Sequence, residues 1–419
     1  MEIKRTLLDG VTRHLKVKEI TVIAGARQVG KTTIIRELEQ TLIKNGSKTI
    51  YLNLDFEPDF HYFSRQETLI QKLQLEFGND HGYVFIDEIQ RKVNAGIFLK
   101  GIYDLGLPLK FIVTGSGSMD IKAGIHESLA GRKRVFELQP VSFFEFANFK
   151  TDYRYERDIN AFFALEKEKT GLMLEEYLNF GGYPRVVTEP SLSEKTAIIN
   201  EIYNSYVSKD IAYLLKIDRP EIFKRMLSIL AANPGSLLNL AKLSVDTGVS
   251  VPTIKKYLWI GENTFSIHEV RPFFKNQRKE ITKSPVIYFN DQGFRNFITN
   301  EFGNISTLSR GFVFQNFIFN TLKSILQEIH AQIKFWRTTD QAEVDFIIDL
   351  QQQVIPVEVK YSSLQSTSLA RSLRNFIEKY SPAKALVVNL SLSDTKLINS
   401  TLVHFVPYYS LPDFLIDIL

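Results

Sequence analysis

The sequence predicts an α/β protein whose first third is a parallel sheet covered by helices on both faces. Three observations indicate this fold class. Apolar strand-like runs alternate with helical stretches up to about residue 140, which is typical of a buried parallel sheet. A glycine-rich turn follows the first of these runs. A second alternation of strands and helices begins near residue 305, after a mainly helical middle region.

The composition is that of a folded chain with two or three domains. Of its 419 residues, 44% are hydrophobic and 23% are charged, which excludes a disordered chain. The formal net charge of +4 permits a nucleic-acid partner without requiring one. The sequence has no cysteine, so disulfides and thiolate metal sites are excluded. It shows no signal sequence and no apolar run near the ~18 residues that cross a bilayer, so we expect a cytoplasmic protein without membrane contact.

The glycine-rich turn has a specific pattern and a specific setting. Residues 25–33 read GARQVGKTT and fill every position of the pattern G-x-x-x-x-G-K-S/T. Residues 19–24 before it are typical of a buried strand, and residues 33–43 after it are typical of an amphipathic helix. A strand–loop–helix with this pattern indicates a nucleotide site rather than an ordinary glycine-rich turn.

Each residue type in this loop suits a triphosphate. Gly25 and Gly30 allow the backbone to wrap phosphates, because a Cβ would obstruct amides that point inward. The helix that begins near Lys31 adds unpaired N–H groups and a partial positive charge. Lys31 is expected to reach the β- and γ-phosphates, and the Thr32 hydroxyl is expected to bind Mg²⁺. Together with Thr33, these residues form the predicted ATP site.

Polar residues end two later strands of the predicted sheet. One strand ends in Asp87 and Glu88, at the carboxyl edge where such sheets bind ligands. Asp87 is placed to hold Mg²⁺ through water, and Glu88 is placed to orient or deprotonate an attacking water. The next strand ends in a cluster of small polar residues that includes Thr114 and Ser116 and continues to Ser118. We expect this cluster beside the γ-phosphate, with a simple Gly/Ser loop as the alternative.

The order of loop, Asp-Glu strand and polar strand resembles the AAA-type ATPases. The resemblance implies that Glu88 is catalytic, and that Thr114 or Ser116 senses the γ-phosphate. Residues 129–134 (LAGRKR) and 138–146 (LQPVSFFEF) are similar to one prokaryotic branch of this group. Its members join an AAA-type ATPase to a C-terminal domain of unknown function that resembles nucleases.

Arg132 lies within the first of these two stretches. It is our candidate for sensing or stabilising γ-phosphate charge, either in cis or from a neighbouring subunit. A contact with another part of the chain is an equal alternative. A homo-oligomer would be required if the arginine acts between subunits.

The middle of the chain is predicted to contain a helical connector and a winged helix. The connector is broken by a chain reversal at residues 179–184, NFGGYP, to which we assign no chemistry. Two helices joined by a glycine-containing turn then match a helix-turn-helix, and two strands with basic sequence between them follow. The predicted helices cover residues 236–243 and 251–258, and the predicted strands cover residues 265–270 and 286–289.

This module has two interpretations. If it binds DNA, Thr253, Lys255 and Lys256 would face the groove. Basic wing residues would then contact phosphate. These wing residues are Lys275, Arg278, Lys279 and Lys283. Alternatively, the winged helix is a protein–protein adaptor and the lysines belong to a solvated face.

The last quarter of the chain is predicted to form a second α/β unit with an αβββαβ order. The period of two in a strand places Glu343 and Asp345 on one face, and Glu358 and Lys360 on one face of the next strand. Two carboxylates and a lysine at a sheet edge form a site for Mg²⁺ with an activated water. Lys360 would position that water or offset phosphate charge.

Asp345 with Glu358-x-Lys360 resembles the PD-(D/E)xK nucleases. The resemblance implies that Asp345 and Glu358 hold Mg²⁺ and that both act with Lys360 in cleavage. The first helix of that family usually supplies a glutamate, whereas this chain has Gln315. A neutral amide binds Mg²⁺ less strongly, which leaves one-metal chemistry. The alternatives are a pair of salt-bridged strands, or a nuclease fold kept for binding.

The sequence therefore predicts a P-loop ATPase followed by a winged-helix region and a nuclease-like domain. One predicted output is an ATP-regulated nuclease acting on DNA or RNA. Another is a nucleotide-dependent switch or scaffold that binds a protein or DNA partner without cleavage. The predicted boundaries are 1–146 for the ATPase, 147–225 for the connector, 226–304 for the winged helix and 305–419 for the nuclease-like domain.

Overall fold

The computed structural model describes residues 2–116, 128–214, 219–233, 235–274, 284–327, 329, 331–338, 340 and 342–418. These residues form one five-stranded sheet and one eight-stranded sheet, with helices between and around them. Across the same residues, every helix is too short or too polar to span a membrane. The basic wing residues and the polar residues 117 and 118 lie outside the described residues.

The first sheet is parallel throughout, as predicted. Its strands are β1 Ile20–Gly25, β2 Thr49–Asn53, β3 Gly82–Asp87, β4 Leu109–Ser116 and β5 Lys133–Leu138. They lie in the order β2-β3-β4-β1-β5. The helices that accompany them are Leu7–His14, Lys31–Lys44, Glu57–His61, Gln66–Phe77 and Ala95–Asp104, with a 3₁₀ turn Ile89–Arg91.

The strand register shows which predicted site residues meet at the carboxyl edge of this sheet. Every residue of β1 is buried, because helices cover both faces of the central strands. In the register, Gly25 lies beside Ser116. On the other side of the sheet, Asn53 lies beside Asp87. The glycine-rich loop, Asp87 and Ser116 therefore meet at one carboxyl edge.

The middle region is helical. Its helices are Phe143–Lys150, Ile159–Leu165, Lys167–Phe180, Pro184–Thr188, Leu192–Ser205, the π-helical segment Tyr206–Leu214, Pro220–Ala232, Leu240–Thr247, Val251–Asn263 and Gln292–Ile298. Gly248 adopts φ +74° at the turn between the paired helices, a conformation that favours glycine. Ser250 caps the second of them by accepting a hydrogen bond from the amide of Thr253.

The second sheet is mixed and has eight strands. These are β6 Ile267–Pro272, β7 Val286–Phe289, β8 Gln332–Arg337, β9 Glu343–Asp349, β10 Val354–Val359, β11 Lys384–Asn389, β12 Asp394–Ile398 and β13 Thr401–Pro407. Their order is β12-β13-β11-β10-β9-β8-β6-β7. The accompanying helices are Thr307–Leu326, Arg371–Tyr380 and Leu411–Ile418, with a 3₁₀ turn Tyr408–Ser410.

The β6–β7 hairpin is part of this second sheet. β6 pairs in parallel with β8, through Arg271 beside Lys334 and Pro272 beside Phe335. The sheet therefore runs across the boundary predicted between residues 304 and 305. The chain after β11 adds two strands and a helix that the αβββαβ prediction did not include.

An aromatic cluster packs the connector against the C-terminal domain. The Phe143 ring lies 5.9 Å from that of Phe317 and 5.6 Å from that of Tyr408, both edge to face. Phe143 also stacks on Phe163 at 5.5 Å. Aromatic pairs in such geometries add about 0.5–1.5 kcal/mol each beyond their area burial. These contacts fix the helix after β5 to the C-terminal domain.

Candidate nucleotide and carboxylate sites

Two glycines shape the predicted phosphate loop. Gly30 adopts φ +100°, and a Cβ at Gly25 would lie 2.5 Å from the carbonyl oxygen of Leu138. The ammonium of Lys31 donates hydrogen bonds to the carbonyl oxygens of Gly25 (3.1 Å) and Ala26 (2.6 Å). The lysine is therefore buried within the loop, at the place where phosphate oxygens would bind.

The two predicted magnesium ligands of the first domain are in direct contact. The Thr32 hydroxyl donates to Oδ2 of Asp87 at 2.8 Å, although the residues lie on different elements. Tyr51 donates to the same oxygen at 2.7 Å, and Thr114 donates to Oδ1. Burial and the Asp87 hydrogen bond raise the pKa of Tyr51 well above its usual range. A hydroxyl and a carboxylate are hard oxygen ligands, so this pair fits Mg²⁺.

Glu88 lies in an uncommon backbone conformation. Its φ is +58°, in the left-handed region that a non-glycine residue occupies at a cost of order 1–3 kcal/mol. The Gln90 amide donates to the Glu88 carboxylate and also to the Ser116 hydroxyl, the latter at 2.9 Å. Gln90 thus links the predicted catalytic residue to the predicted sensor. Nothing in the sequence singled out Gln90 or Tyr51.

A cavity of about 250 Å³ adjoins the phosphate loop. Its walls come from the N-terminal segment, the helix after the loop and the helix that follows the Gly-Gly-Tyr-Pro turn. Residues on these walls include Arg5, Gly30, Thr33, Ile34, Pro184 and Arg185. No chemistry was predicted for this turn, but its proline lies beside the predicted ATP site.

Arg132 is at the opposite edge of the sheet from the loop. It precedes β5, and its carbonyl oxygen accepts a hydrogen bond from the amide of Ile20, the first residue of β1. The loop begins at Gly25, about 16 Å further along β1 at ~3.3 Å per residue. The guanidinium instead pairs with Asp104 at 2.8 Å. The predicted role in cis is therefore wrong, because parallel β1 and β5 carry Arg132 to the amino edge.

Two other arginines contact the loop. Arg5 donates to the carbonyl oxygen of Val29 at 2.8 Å, and Arg185 donates to Oε1 of Gln28 at 3.2 Å. The Arg5 side chain is nearly buried, whereas that of Arg185 is half exposed. The N-terminal segment and the connector thus each bring one arginine to the loop, and each of these arginines is also paired with a glutamate.

The four residues predicted for the C-terminal site lie together. Gln315 donates to Oδ1 of Asp345 at 2.9 Å, and the amide of Val359 donates to Oδ2 at 2.7 Å. Lys360 pairs with Oε1 of Glu358 at 2.6 Å. Oε2 of Glu358 is buried and has no hydrogen-bond partner among the described residues. This orphaned oxygen is a feature that a bound cation would satisfy.

Burial and neighbouring negative charge disfavour the ionised form of the carboxyl groups at this site. Burial, followed by the Glu358 charge, raises the pKa of Asp345 far above its usual range. Burial likewise raises the pKa of Glu343, although Arg337 opposes the shift. The part of the chain that the structure describes contains no cluster of three or more carboxylate or imidazole ligands suited to a metal. The carboxylates that would hold an ion here are Asp345 and Glu358, and the unpartnered Oε2 of Glu358 is the feature that fits one.

The β6–β7 hairpin reaches this site through one tyrosine, Tyr288, that no sequence pattern indicates. Gln315 also donates to the hydroxyl of Tyr288, on β7, at 3.0 Å. The amide that replaces the expected glutamate is therefore held by two partners. On the paired helices, Lys255 and Lys256 are exposed, as is Trp259 one turn later.

Comparisons with known families assign the first domain. Residues 17–147 match a family described as AAA domain. Residues 172–304 and 310–411 match two families described as domains of unknown function, DUF8612 and DUF4143. The N-terminal part of the chain is an AAA domain. The matches to the other two regions carry no stated activity.

Relatives similar to nearly the whole chain occur in bacteria and archaea. An uncharacterized protein of Mycobacterium tuberculosis is 24% identical over 94% of this chain and 82% of its own length. One of Haemophilus influenzae is 24% identical over 93% of this chain and 94% of its own length. One of Methanocaldococcus jannaschii is 25% identical over 91% of this chain and 84% of its own length. The three regions therefore occur together in these relatives.

Similarity to solved structures is more distant. Cdc6p of Pyrobaculum aerophilum is 10% identical, covers 71% of this chain and 93% of its own, and gives a TM-score of 0.28. AMPPCP-bound DnaA of Aquifex aeolicus is 14% identical, covers 61% of this chain and 86% of its own, and gives a TM-score of 0.28. Similarity at this level does not extend the assignment beyond the AAA domain.

Proposed function

We propose that the AAA domain binds and hydrolyses ATP with Mg²⁺, and that its nucleotide state regulates a C-terminal domain that binds and cleaves nucleic acid. The observation that carries this proposal is the contact of Thr32 with Asp87 at 2.8 Å, beside a loop whose Lys31 is already turned inward. These are the groups that a P-loop ATPase requires at one point. Bound Mg²⁺ would neutralise phosphate charge between them.

The remaining residues of the first site have separable roles in this proposal. Lys31 exchanges its carbonyl partners for phosphate oxygens. Glu88 orients the attacking water and takes its proton, once the carboxylate is released from Gln90. Thr114 and Ser116 lie beside the γ-phosphate, and the cavity next to Thr33 accommodates the nucleoside. The γ-phosphoryl group is transferred to water, and ADP leaves with the bridging oxygen.

In the C-terminal domain, the proposed reaction is hydrolysis of a phosphodiester. Asp345 and Glu358 would hold one Mg²⁺, which supplies charge stabilisation and an acidified water when bound. Lys360 would lie beside the phosphate and offset its charge. Support for this arrangement comes from the buried, unpartnered oxygen of Glu358.

Regulation is supported by direct contacts between the two parts of the chain. Lys323, on the long helix Thr307–Leu326, pairs with Glu137 of β5 at 2.8 Å. Gln327 donates to the carbonyl oxygen of Glu137 at 3.0 Å. Within the middle region, Oδ2 of Asp291 accepts from the amide of Gly182 in the Gly-Gly-Tyr-Pro turn at 2.7 Å, which holds the region between the two domains together.

A second candidate function is favoured by the Gln315–Asp345 contact. The Gln315 amide donates a hydrogen bond to Oδ1 of Asp345 at 2.9 Å, so this oxygen already has a partner other than a metal ion. Such a contact is expected in a site used for binding rather than cleavage. In this alternative, the chain is a nucleotide-dependent switch that holds nucleic acid or a protein without cutting it. An equal release of phosphate by wild type and Glu88→Gln would indicate a scaffold that binds ATP without turnover.

The deciding experiment measures nucleotide binding, phosphate release and nucleic-acid cleavage on the full chain. Lys31→Ala is expected to abolish ATP uptake in calorimetry, whereas Lys44→Ala, on the exposed end of the same helix, should bind as wild type does. Plasmid and single-stranded substrates with Mg²⁺ or Mn²⁺ test cleavage, with Asp345→Ala and Lys360→Ala as inactive controls. Intact substrate with ATP-dependent retention supports the switch. Absence of adenine-nucleotide binding overturns the proposal.

A further inference from the structure

The carboxylate site opens into a pocket that two separate parts of the chain enclose. A cavity of about 620 Å³ lies over Asp345 and Gln315. One wall is formed by residues 235–237, which precede the first of the paired helices. The opposite walls are Phe312 on the long helix, and Arg337 with Glu343 on the β8–β9 pair. Pockets of 300–1,000 Å³ are typical of sites that enclose a ligand of a few ring systems.

We propose that this pocket admits single-stranded nucleic acid, with a base stacked on Phe312 and a phosphate near Arg337. The inference rests on the nucleic-acid function proposed above and specifies its substrate class. A pocket of this size holds one or two nucleotides of a strand. The substrate is therefore a single strand or a frayed end, not an intact duplex.

Phe312 is positioned to meet a base. It precedes Gln315 by three residues, so both side chains project from the same face of the helix. The ring is 46% exposed, whereas Phe314 and Phe317 of the same helix are buried. An exposed aromatic ring beside a site for phosphate chemistry is the usual platform on which an unpaired base stacks.

Arg337 gives the pocket a positive group at its rim. Its guanidinium lies 3.4 Å from the Glu343 carboxylate, and both side chains are about one-third exposed. A planar guanidinium suits phosphate oxygens because it donates two parallel hydrogen bonds. A strand that stacks a base on Phe312 would thus carry its phosphate between Arg337 and Asp345.

The wall at residues 235–237 explains why a duplex is excluded. It is held in place by the pairing of Leu237 with Val286 and by a 2.8 Å hydrogen bond from the amide of Leu238 to Pro285. Gly235, at φ +70°, approaches so closely that a Cβ would lie 3.2 Å from Oε1 of Gln315. The same Cβ would lie 3.6 Å from the Phe312 ring, so the wall narrows the approach to Asp345. A rigid double helix cannot lower one phosphate past this wall toward Asp345, whereas a flexible single strand can.

The test measures binding by fluorescence anisotropy with the full chain in EDTA, which prevents cleavage. The probes are labelled oligothymidylate, oligouridylate and a hairpin duplex, so that DNA, RNA and duplex are compared directly. Phe312→Ala should weaken single-strand binding about tenfold, since one stacked base contributes roughly 5- to 150-fold. Leu308→Ala, 89% exposed one turn earlier, is the matched control and should bind as wild type does. Arg337→Ala should reduce the steepness of log affinity plotted against log salt concentration by about one.

Two further outcomes separate this inference from the proposal on which it rests. Ser236→Trp, which fills the pocket from the opposite wall, should exclude the single strand without altering ATP binding. Equal affinity for hairpin and single strand, or single-strand binding that depends on Lys255 and Lys256 but not on Phe312, overturns the pocket and leaves nucleic-acid binding intact. Failure to bind any of the probes in EDTA, together with intact probes after Mg²⁺ is added, overturns the nucleic-acid function itself.

Discussion

A buried ion pair between Arg5 and Glu145 contacts the phosphate loop and stabilises it. The two groups lie 3.2 Å apart, and their side chains are only 7% and 5% exposed. Arg5 also donates to the carbonyl oxygens of Val29 (2.8 Å) and Gln139 (2.5 Å). Glu145 accepts from the amide of Thr6 at 2.7 Å. The pair therefore joins the N-terminal segment, the loop and the helix after β5.

Replacing Arg5 with methionine should destabilise the fold substantially. Removing one partner of a buried pair costs about 3–5 kcal/mol, because the other charge is left uncompensated. The carbonyl oxygens of Val29 and Gln139 lose the same donor side chain, so their cost of about 1–3 kcal/mol each does not simply add to that of the ion pair. We expect the free energy of unfolding to fall by about 4 kcal/mol. Arg5→Met combined with Glu145→Gln should recover part of this loss, since the buried charge is gone.

Urea denaturation followed by circular dichroism measures these differences. The matched control is Arg154→Met, whose pair with Asp152 has side chains 73% and 59% exposed. Surface pairs contribute little, so the control should remain within about 0.5 kcal/mol of wild type. If Arg5→Met were as stable as the control, or if the double variant lost the sum of both single losses, the pair would not be supporting the loop.

Four other results are expected. Glu88→Gln should slow phosphate release about 10²- to 10⁴-fold while calorimetric ATP affinity is retained. Gln90→Ala should raise basal phosphate release about tenfold, because the Glu88 carboxylate loses the amide that holds it. Burial raises the pKa of Asp291 to about 6, so the folded chain retains a proton that the unfolded chain has released. The free energy of unfolding of the wild type should therefore fall by about 3 kcal/mol as the pH rises from about 4 to 6. Urea denaturation of Asp291→Asn over the same pH range should not show this decrease. Lys323→Met should keep ATP hydrolysis but remove the nucleotide dependence of nucleic-acid binding, measured by anisotropy with ADP and an ATP analogue.

The first domain was predictable because its signals are local. The pattern from Gly25 to Thr33 and the apolar strand before it are contiguous, and the structure has β1, the loop and the helix in that order. The parallel arrangement followed from buried strands separated by helices. Asp87 reached the loop because the carboxyl ends of parallel strands share one edge.

Arg132 shows what this reasoning could not supply. A charged residue in the segment that connects two strands lies near the nucleotide only if it is at the carboxyl edge of the sheet. Arg132 precedes β5, and the strand pairing takes it to the other edge beside Ile20. Tyr51 and Gln90 were missed for a related reason, since their contacts depend on the direction of one side chain in the middle of β2 and one in the turn after β3. The sequence carries no periodic signal for either contact.

The second sheet was only partly predictable, because one of its pairings is distant in sequence. The individual strands β9 and β10 follow from alternation, and Asp345 and Glu358 lie on the face that a period of two predicts. The pairing of β6 with β8 joins residues more than 60 positions apart and involves two short segments. Such a pairing is decided by tertiary packing rather than by local propensity.

One helix physically connects the two candidate sites. On Thr307–Leu326, Gln315 contacts Asp345 and Lys323 contacts Glu137. These contacts are eight residues apart, about 12 Å along the helix axis at ~1.5 Å per residue. Glu137 lies beside Ala24 in the β1–β5 register, immediately before the phosphate loop. Because a packed helix moves as a rigid element, a shift of β5 on nucleotide binding would be transmitted to Gln315 and hence to the floor of the single-strand pocket.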